Sequence, residues 1–273
     1  MLEFLKEKAK FVRIATLKIA QSSPEIRLAS SLSPVEIFSA LYYGKLLNYD
    51  NKLKYNTARD RFIVSKGHGS ISLYPILADL GFFSQELLKN VGKQGNFLGS
   101  IPDPIIPGYE TINGSLGHGL GVGAGISFAL KMQKNPQNVV VLVGDGELNE
   151  GSNWEAVMFS AQHKLENLTL IVDYNKISML DYSKNIIDLN PLRDKFESFG
   201  WFWIEITNGH DVAEVYQTLK ETLPKRIAKP KVVVANTIKG KGVASLETNS
   251  LCHILTANPE EITQAIREIE NEA

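Results

Sequence analysis

Two apolar runs frame the most informative part of this chain. Residues 139–143 read VVVLV, residues 168–172 read LTLIV, and a helical pattern over residues 152–163 lies between them. Apolar runs of this length, with polar residues at both ends, are typical of parallel strands that are buried on both faces. The segment is therefore predicted to form a strand–loop–helix–strand unit of a parallel sheet.

The rest of the chain continues this alternation of elements. Helices are predicted over residues 2–21, 34–47, 70–80, 191–199 and 259–270, and further strands over residues 59–64, 201–206 and 231–236. Ser33 is predicted to cap the second helix, with Glu36 closing a capping box, and Asp211 to cap the helix that runs to Leu223. These elements predict an α/β fold, a mostly parallel sheet with helices on both faces, built as a single domain over residues 1–273.

One predicted helix, which continues to about Met132, is unusually rich in glycine. It contains Gly119, Gly121, Gly123 and Gly125, and each costs about 1 kcal/mol of helix stability relative to alanine. We expect close approach to another backbone or to a cofactor to compensate. No strand immediately precedes these glycines and no acidic residue follows at the required distance, so a dinucleotide-binding motif is excluded.

Composition and charge narrow the class of protein. The chain has 273 residues, enough to bury a substantial core. Its net charge of −1 does not indicate nucleic-acid binding. No apolar run is long enough to span a bilayer, and the charged N-terminus lacks a signal-peptide core. The lone cysteine, Cys252, fits a reducing compartment. We therefore expect a cytoplasmic protein that binds neither nucleic acid nor membrane.

Polar residues follow both central strands where each strand ends. Gly144-Asp145-Gly146 comes after the first apolar run, and Asn175 follows the second, thirty residues later. Ligands of open α/β sheets bind at the carboxyl ends of strands, and carboxylate, amide and carbonyl oxygens suit Mg²⁺ or Ca²⁺. The glycines permit close approach of a phosphate. Taken alone, Gly-Asp-Gly could also be only a strand-to-helix turn.

Three motifs carry a resemblance to a known family. They are RDRFIVSKGH at residues 59–68, GDGELNEGSNWEA at residues 144–156 and TIKGKG at residues 237–242. With these motifs the chain resembles the N-terminal part of transketolase from about residue 13 to residue 253. The resemblance implies a thiamine diphosphate-binding fold, with thiamine diphosphate and Mg²⁺ (or Ca²⁺) as cofactors.

The resemblance also assigns roles to individual residues. It implies that Asp145, Asn175 and the backbone carbonyl of Ile177 hold the metal. It implies cofactor contacts by His68, Gly114, Ser115, Leu116, Gly144, Asp145, Gly146, Asn175 and His253. His68 and His253 would also act in catalysis, by orienting cofactor and donor and moving protons. Glu150 would lie at the subunit interface, linked to the partner's catalytic glutamate.

Two of these residues also have an ordinary structural interpretation. Without the resemblance, His68 would be interpreted as a surface turn residue. Glu150 would be a first-turn carboxylate that the helix dipole stabilises. Neither pattern by itself indicates catalysis, so both roles depend on the resemblance.

The chain departs from the family at two positions that face the donor. Arg27 and Ile101 stand where the family has histidines. A guanidinium suits a carboxylate, sulfonate or phosphate held bidentately, and isoleucine suits a deoxygenated or methyl-bearing group. We therefore expect a sugar donor that differs from an ordinary ketose phosphate. The alternative is that the alignment slips here and Arg27 faces solvent.

The function implied is that of half an enzyme. The family carries a pyrimidine-binding domain, with an essential glutamate, after the region seen here. We expect that domain on a second polypeptide, in an α2β2 heterotetramer that transfers a two-carbon ketol unit from a ketose to an aldehyde. One alternative is a 2-oxo-acid decarboxylase or acyl-transferring subunit with the same cofactor, and another is a noncatalytic subunit that only binds a partner.

Overall fold

Five parallel strands form the centre of the computed structural model, which describes residues 1–49, 58–111 and 114–271. They are β1 (Arg61–Val64), β2 (Val139–Gly144), β3 (Leu168–Tyr174), β4 (Phe202–Ile206) and β5 (Lys231–Asn236). Their order across the sheet is β1-β2-β3-β5-β4, and every pairing between them is parallel. The carboxyl ends of β1, β2, β3 and β5 therefore meet at one edge of the sheet.

The helices of the described residues connect and cover these strands. They are α1 (Leu2–Ser22), α2 (Leu28–Leu32), α3 (Val35–Tyr42), α4 (Leu73–Asp79), α5 (Gly119–Met132), α6 (Gly151–Gln162), α7 (Ser183–Ile186), α8 (Leu192–Ser198), α9 (Val212–Thr222), α10 (Ala244–Glu247) and α11 (Pro259–Asn271). Short 3₁₀ turns occur at Gly67–Gly69, Gln85–Asn90 and Gly146–Asn149. No described helix combines the length and the apolar character needed to cross a membrane.

Alternate residues of the central strands pack into two separate cores. Val140 and Ile171 face a core built with α1, α3, α9 and α11. Val141 and Leu170 face a second core built with α5, α6 and α8. Because successive side chains of a strand point to opposite faces, a strand that is apolar throughout needs helices on both sides. The predicted α/β fold, a mostly parallel sheet with helices on both faces, is confirmed.

The predicted capping box at the second helix is wrong. Helix α3 begins at Val35, and Ser33 itself has helical torsion angles, φ −68° and ψ −40°. A capping residue needs a non-helical backbone, so Ser33 donates its hydroxyl to Asp173 instead. Glu36 is turned into the interior and does not close a cap. Asp211 does cap α9 as predicted, because its carboxylate accepts the backbone N–H of Ala213 at 2.9 Å.

Two glycines of α5 bring this helix close to the sheet. A methyl group added at Gly119 would lie 2.4 Å from the side chain of Ser65, and one added at Gly123 would lie 2.4 Å from Val141. Gly121 and Gly125 have open space around them. The expected close approach to another backbone is therefore found at Gly119, where the Ser65 Cα would lie 2.9 Å away, whereas Gly123 approaches only side chains. The Gly119 contact places the start of α5 against the loop that follows β1.

Candidate functional site

The candidate metal ligands lie together at the carboxyl edge of the sheet. Asp145 follows β2 and Asn175 follows β3, and the register of these two strands aligns Gly144 with Asp173. The carboxylate Oδ2 of Asp145 accepts the backbone N–H of Lys176 and the hydroxyl of Ser183, both at 2.9 Å. The two loops are therefore hydrogen-bonded to each other through Asp145.

Asp145 is a buried carboxylate that forms no ion pair within the described part of the chain. It is 6% exposed, and burial raises its pKa above the usual range. None of the ion pairs formed by the described residues includes it. A bound cation would supply the missing compensation.

Asn175 and Ile177 add two oxygens of the type that hard cations prefer. The Asn175 amide nitrogen donates to Asp173 at 3.3 Å, and its oxygen accepts the backbone N–H of Ile177 at 3.2 Å. The carbonyl oxygen of Ile177 accepts the Lys239 ammonium at 2.8 Å, so it already points at a positive charge. No group of three His, Cys, Asp or Glu in the described ranges could hold a metal. The donor set present here instead fits Mg²⁺ or Ca²⁺ completed by phosphate oxygens and water.

A buried charge network lies directly beneath these oxygens. Asp173 is fully buried and pairs with the Lys66 ammonium. It also accepts the hydroxyls of Ser33 and Thr237. Burial by itself would raise the pKa of Asp173, but the adjacent Lys66 charge outweighs burial and the pKa lies below its usual value. Since Asp173 accepts the amide of Asn175, the network fixes the orientation of this candidate ligand.

His68 and His253 face each other at the site. Their ring centroids are 4.9 Å apart at an interplanar angle of 57°. The pKa of His68 is lowered to about 2, mainly by burial and secondly by the Lys66 charge. The pKa of His253 is lowered to about 3, mainly by burial and secondly by the Lys239 charge. Both rings are therefore neutral near pH 7 and are available as hydrogen-bond donors and acceptors.

Lys239 connects His253 to the candidate metal ligands. Its ammonium lies 3.0 Å from His253 Nδ1 as well as 2.8 Å from the carbonyl oxygen of Ile177. Burial, followed by the charge of Lys66, lowers the pKa of Lys239 to about 8. Because the ammonium donates to Nδ1, the ring proton of His253 resides on Nε2.

The glycine loop before α5 is tied to the Gly144–Gly146 turn by one buried carboxylate. Glu147 is 2% exposed and accepts the N–H of Gly117 at 2.9 Å, the N–H of Gly144 at 3.2 Å and the hydroxyl of Ser65. Burial raises the pKa of Glu147. Glu147 thereby holds together two glycine segments that the resemblance assigns to the cofactor.

The structure places the residues of that glycine loop at the surface. Gly114 and Ser115 are exposed and Leu116 is half-buried, whereas residues 112 and 113 lie outside the described part of the chain. Glu150 is also exposed, at the N-terminus of α6, and a methyl group added at Gly117 would meet its Cβ at 2.6 Å. The loop and Glu150 therefore form one accessible surface beside the buried ligands.

The two positions that depart from the family differ in their surroundings. Arg27 is exposed, precedes α2, and its positive charge contributes to the lowered pKa of both His68 and His253. Ile101 lies in a loop and is 47% exposed. The structure therefore associates Arg27 with the site histidines and leaves Ile101 on the surface.

Four buried residues of the site were not predicted from the sequence as site residues. They are Lys66, Glu147, Asp173 and Lys239. Lys66, Glu147 and Lys239 lie within the sequence motifs, and Asp173 lies two residues before Asn175. Each has hydrogen-bond partners in distant segments, such as Lys66 with Asp173 107 residues away. The one signal in the sequence is their position beside candidate ligands at strand ends.

Comparison with known proteins gives the class and the family. The chain matches the family described as "Transketolase, thiamine diphosphate binding domain" over residues 6–270. It is 37% identical to one of the subunits of apulose-4-phosphate transketolase from Actinobacillus succinogenes, over 98% of this chain and 96% of that protein. The fold and the site define a thiamine diphosphate-binding protein. The chain belongs to the transketolase family, whose members are thiamine diphosphate-dependent transferases.

Further relatives show how much of a transketolase this chain represents. It is 34% identical to the 6-deoxy-6-sulfo-D-fructose transketolase subunit SqwG of a Clostridium species, over 98% of this chain and 97% of that protein. The crystal structure of transketolase from Campylobacter jejuni superimposes with a TM-score of 0.90 at 29% identity, over 99% of this chain but 43% of that one. The chain therefore spans nearly all of the two named subunits and less than half of that transketolase.

Proposed function

We propose that this chain is the thiamine diphosphate-binding subunit of a two-subunit transketolase, folded as one diphosphate-binding domain over residues 1–273. The observation that carries the proposal is the meeting of Asp145, Asn175 and the Ile177 carbonyl at one sheet edge, with Lys239 joining this edge to His253. That arrangement supplies oxygen ligands for a cation next to neutral imidazoles.

The residues present fit the cofactor and its metal. Asp145, Asn175 and the carbonyl of Ile177 would hold Mg²⁺ or Ca²⁺, which would offset the buried Asp145 charge. Gly144, Gly146 and the loop of Gly114, Ser115 and Leu116 would lie against the cofactor. When bound, thiamine diphosphate supplies the carbanion and electron sink that cleave a carbon–carbon bond next to a carbonyl.

The histidines would act on the donor as neutral groups. The Lys239 ammonium donates a hydrogen bond to Nδ1 of His253. The Nε2–H of His253 is therefore the group available to donate to a substrate oxygen. His68 packs against the same ring, and burial keeps both rings uncharged. A neutral imidazole can donate or accept a proton without introducing a charge into the site.

A second polypeptide would complete the enzyme. Two relatives of matching length are named as transketolase subunits, and this chain covers 43% of the Campylobacter jejuni transketolase. We propose that the pyrimidine-binding domain lies on a separate chain and that two copies of each form an α2β2 heterotetramer. The exposed Glu150, beside the glycine loop, would face that partner.

The proposed reaction is transfer of a two-carbon ketol unit from a sugar donor to an aldehyde. The relatives' names include a sugar phosphate and a sulfonated sugar. Arg27, whose charge reaches His68 and His253, is suited to an anionic or strongly hydrogen-bonding donor group. We propose a specialised ketose of this type as the donor.

Removal of the metal carboxylate tests the proposal. Asp145→Ala should weaken calcium-dependent binding of thiamine diphosphate, measured by titration calorimetry, by more than about 100-fold, which exceeds the range of outer-shell changes. Asp188→Ala is a matched control, because Asp145 and Asp188 line one cavity and Asp188 is exposed. Wild-type affinity in the Asp145 variant would refute the metal site, and robust ketol transfer by this chain alone would refute the need for a second polypeptide.

A further inference from the structure

A buried cluster of three charged or ionisable side chains lies behind the site rather than in it. Glu36 of α3 accepts the Arg13 guanidinium of α1 and lies 3.0 Å from Nδ1 of His210, in the loop before α9. Arg13 is 7% exposed and Glu36 is 6% exposed. Burial by itself would raise the pKa of Glu36, but Arg13 and His210 together lower it below its usual range. Glu36 is therefore an ionised acceptor shared by two donors.

Both donors of this cluster also hold the loop that follows β5. His210 Nε2 accepts the backbone N–H of Ile238 at 2.7 Å. Arg13 donates to the carbonyl oxygen of Lys241 at 2.8 Å. Residues 238 and 241 are thus fixed from the same side by groups that meet at one carboxylate.

Lys239 lies between these two fixed points. Its ammonium leaves the loop on the other side to contact the carbonyl oxygen of Ile177 and Nδ1 of His253. Gly240 donates to the carbonyl oxygen of Ala29 at 3.0 Å, so the loop backbone is also pinned between the Arg13 and His210 contacts. The position of the Lys239 backbone, and hence the reach of its ammonium, is set by this loop.

The contacts of His210 define its tautomer. A backbone N–H is only a donor, so Nε2 must present a lone pair to Ile238. The ring proton therefore resides on Nδ1 and donates to Glu36. Glu36 selects the tautomer that can hold Ile238, which makes the three side chains one functional unit.

We propose that Arg13, Glu36 and His210 are positioning residues that hold the 238–241 loop so that the Lys239 ammonium is aimed at the Ile177 carbonyl and His253. This inference rests on the proposed function in one respect, the identity of the ligand whose binding Lys239 supports, which is a diphosphate with its metal. The fixing of the 238–241 loop by the three side chains concerns this chain alone.

Two substitutions at His210 separate positioning from simple packing. The amide nitrogen of Asn reaches the place of Nδ1, and the amide oxygen of Gln reaches the place of Nε2. His210→Asn therefore keeps the donor to Glu36 and loses the acceptor for Ile238, whereas His210→Gln keeps that acceptor. A packing role predicts similar losses in both variants, and the positioning role predicts a loss in His210→Asn with rescue in His210→Gln.

The decisive measurements need neither cofactor nor partner. Amide hydrogen exchange at Ile238, read by NMR or on a peptide covering residues 237–243, should accelerate at least about tenfold in His210→Asn, as expected for loss of one hydrogen bond, and stay within about threefold of wild type in His210→Gln. Lys239 is 4% exposed. Its acetylation, measured relative to that of the exposed Lys18, should accelerate in His210→Asn. Asp211→Ala is the matched control, because it removes the α9 cap next to His210 and leaves the Ile238 contact.

The cofactor measurement then distinguishes the two proposals. Calcium-dependent thiamine diphosphate affinity should fall about tenfold in His210→Asn and recover in His210→Gln, consistent with loss of one directed contact. Equal exchange and acetylation in all three variants would overturn the positioning role, whatever the affinity. If the reconstituted two-subunit enzyme binds no thiamine diphosphate while Lys239 reactivity follows the expected order, the proposed function fails and the positioning of Lys239 stands.

Discussion

The Lys66 ammonium pairs with the Asp173 carboxylate beneath the candidate metal ligands, and the two side chains are 2% and 0% exposed. Ion pairs so completely removed from water are costly to desolvate, and their partners become mutually dependent. Here the carboxylate also accepts the amide of Asn175. The pair therefore links the stability of the fold to the orientation of a candidate ligand.

Breaking this pair should destabilise the chain strongly. Lys66→Met leaves the Asp173 charge buried without a cation, which costs about 3–5 kcal/mol of unfolding free energy. The double variant Lys66→Met/Asp173→Asn removes both charges and should lose less than the single variant. Urea denaturation measures both, with Lys89→Met in the exposed pair with Glu86 as a control expected within about 0.5 kcal/mol of wild type. A double variant less stable than Lys66→Met would contradict this account.

Glu147→Gln should loosen the glycine loop. An amide offers one acceptor oxygen, so its nitrogen must face the N–H of either Gly117 or Gly144, both of which now donate to the carboxylate. The loss of one buried acceptor costs about 1–3 kcal/mol. We expect lower thermal stability together with faster amide exchange at residues 114–117. Unchanged exchange there would show that Glu147 is not the anchor of the loop.

Lys231 should give the chain a pH-dependent stability. It lies on β5 with 0% exposure, and burial lowers its pKa from 10.5 to about 7. Between these values the unfolded chain binds the proton more tightly, so stability rises with pH, by up to about 1.4 kcal/mol per pH unit. This contribution is complete above 10.5 and is lost as pH falls through about 7.

Lys231→Met removes that titration. The unfolding free energy of wild type minus that of the variant should therefore increase from pH 7 to pH 9.5, whereas the same difference for the exposed Lys229→Met should stay constant. A pH-independent difference for Lys231→Met would mean that the buried amine keeps an ordinary pKa. Chemical denaturation at several pH values provides the measurement.

Arg27 and Ile101 should control the choice of donor in the reconstituted two-subunit enzyme. Histidines at both positions would restore groups that donate and accept hydrogen bonds to a hydroxylated donor. Arg27→His/Ile101→His should raise kcat/KM for xylulose 5-phosphate on the order of tenfold, because a polar site discriminates through its paired groups. The sugars named in the relatives, apulose 4-phosphate and 6-deoxy-6-sulfo-D-fructose, should be better donors for wild type. The idea fails if wild type uses xylulose 5-phosphate efficiently and the double variant changes nothing.

The central fold was predictable because its signals are local. The runs at 139–143 and 168–172 predict β2 and β3 to within two residues of their observed ends. Once two parallel strands are adjacent, the residues after them must share an edge, so the proximity of Asp145 and Asn175 followed from the same pattern. The loop contacts between them confirm that expectation.

The supporting network was not predictable because its signals are distant. Lys66, Asp173 and Glu147 are charged residues whose burial is set by segments 30 to 140 residues away, and nothing nearby in the sequence marks them as buried. Ser33 shows the same effect. Its local pattern favours a helix cap, but its hydroxyl donates to the buried carboxylate of Asp173, 140 residues away.

The strand order has a consequence for the way the chain is made. Among the described strands, β4 pairs with β5 alone, and β5 lies between β4 and β3. A growing polypeptide therefore carries β4 without a neighbour until residue 236 has emerged from the ribosome. Thr237 follows at once, and its hydroxyl completes the set of donors around Asp173. Closure of the sheet and completion of the hydrogen bonds around the buried Asp173 carboxylate thus become a single late event in synthesis.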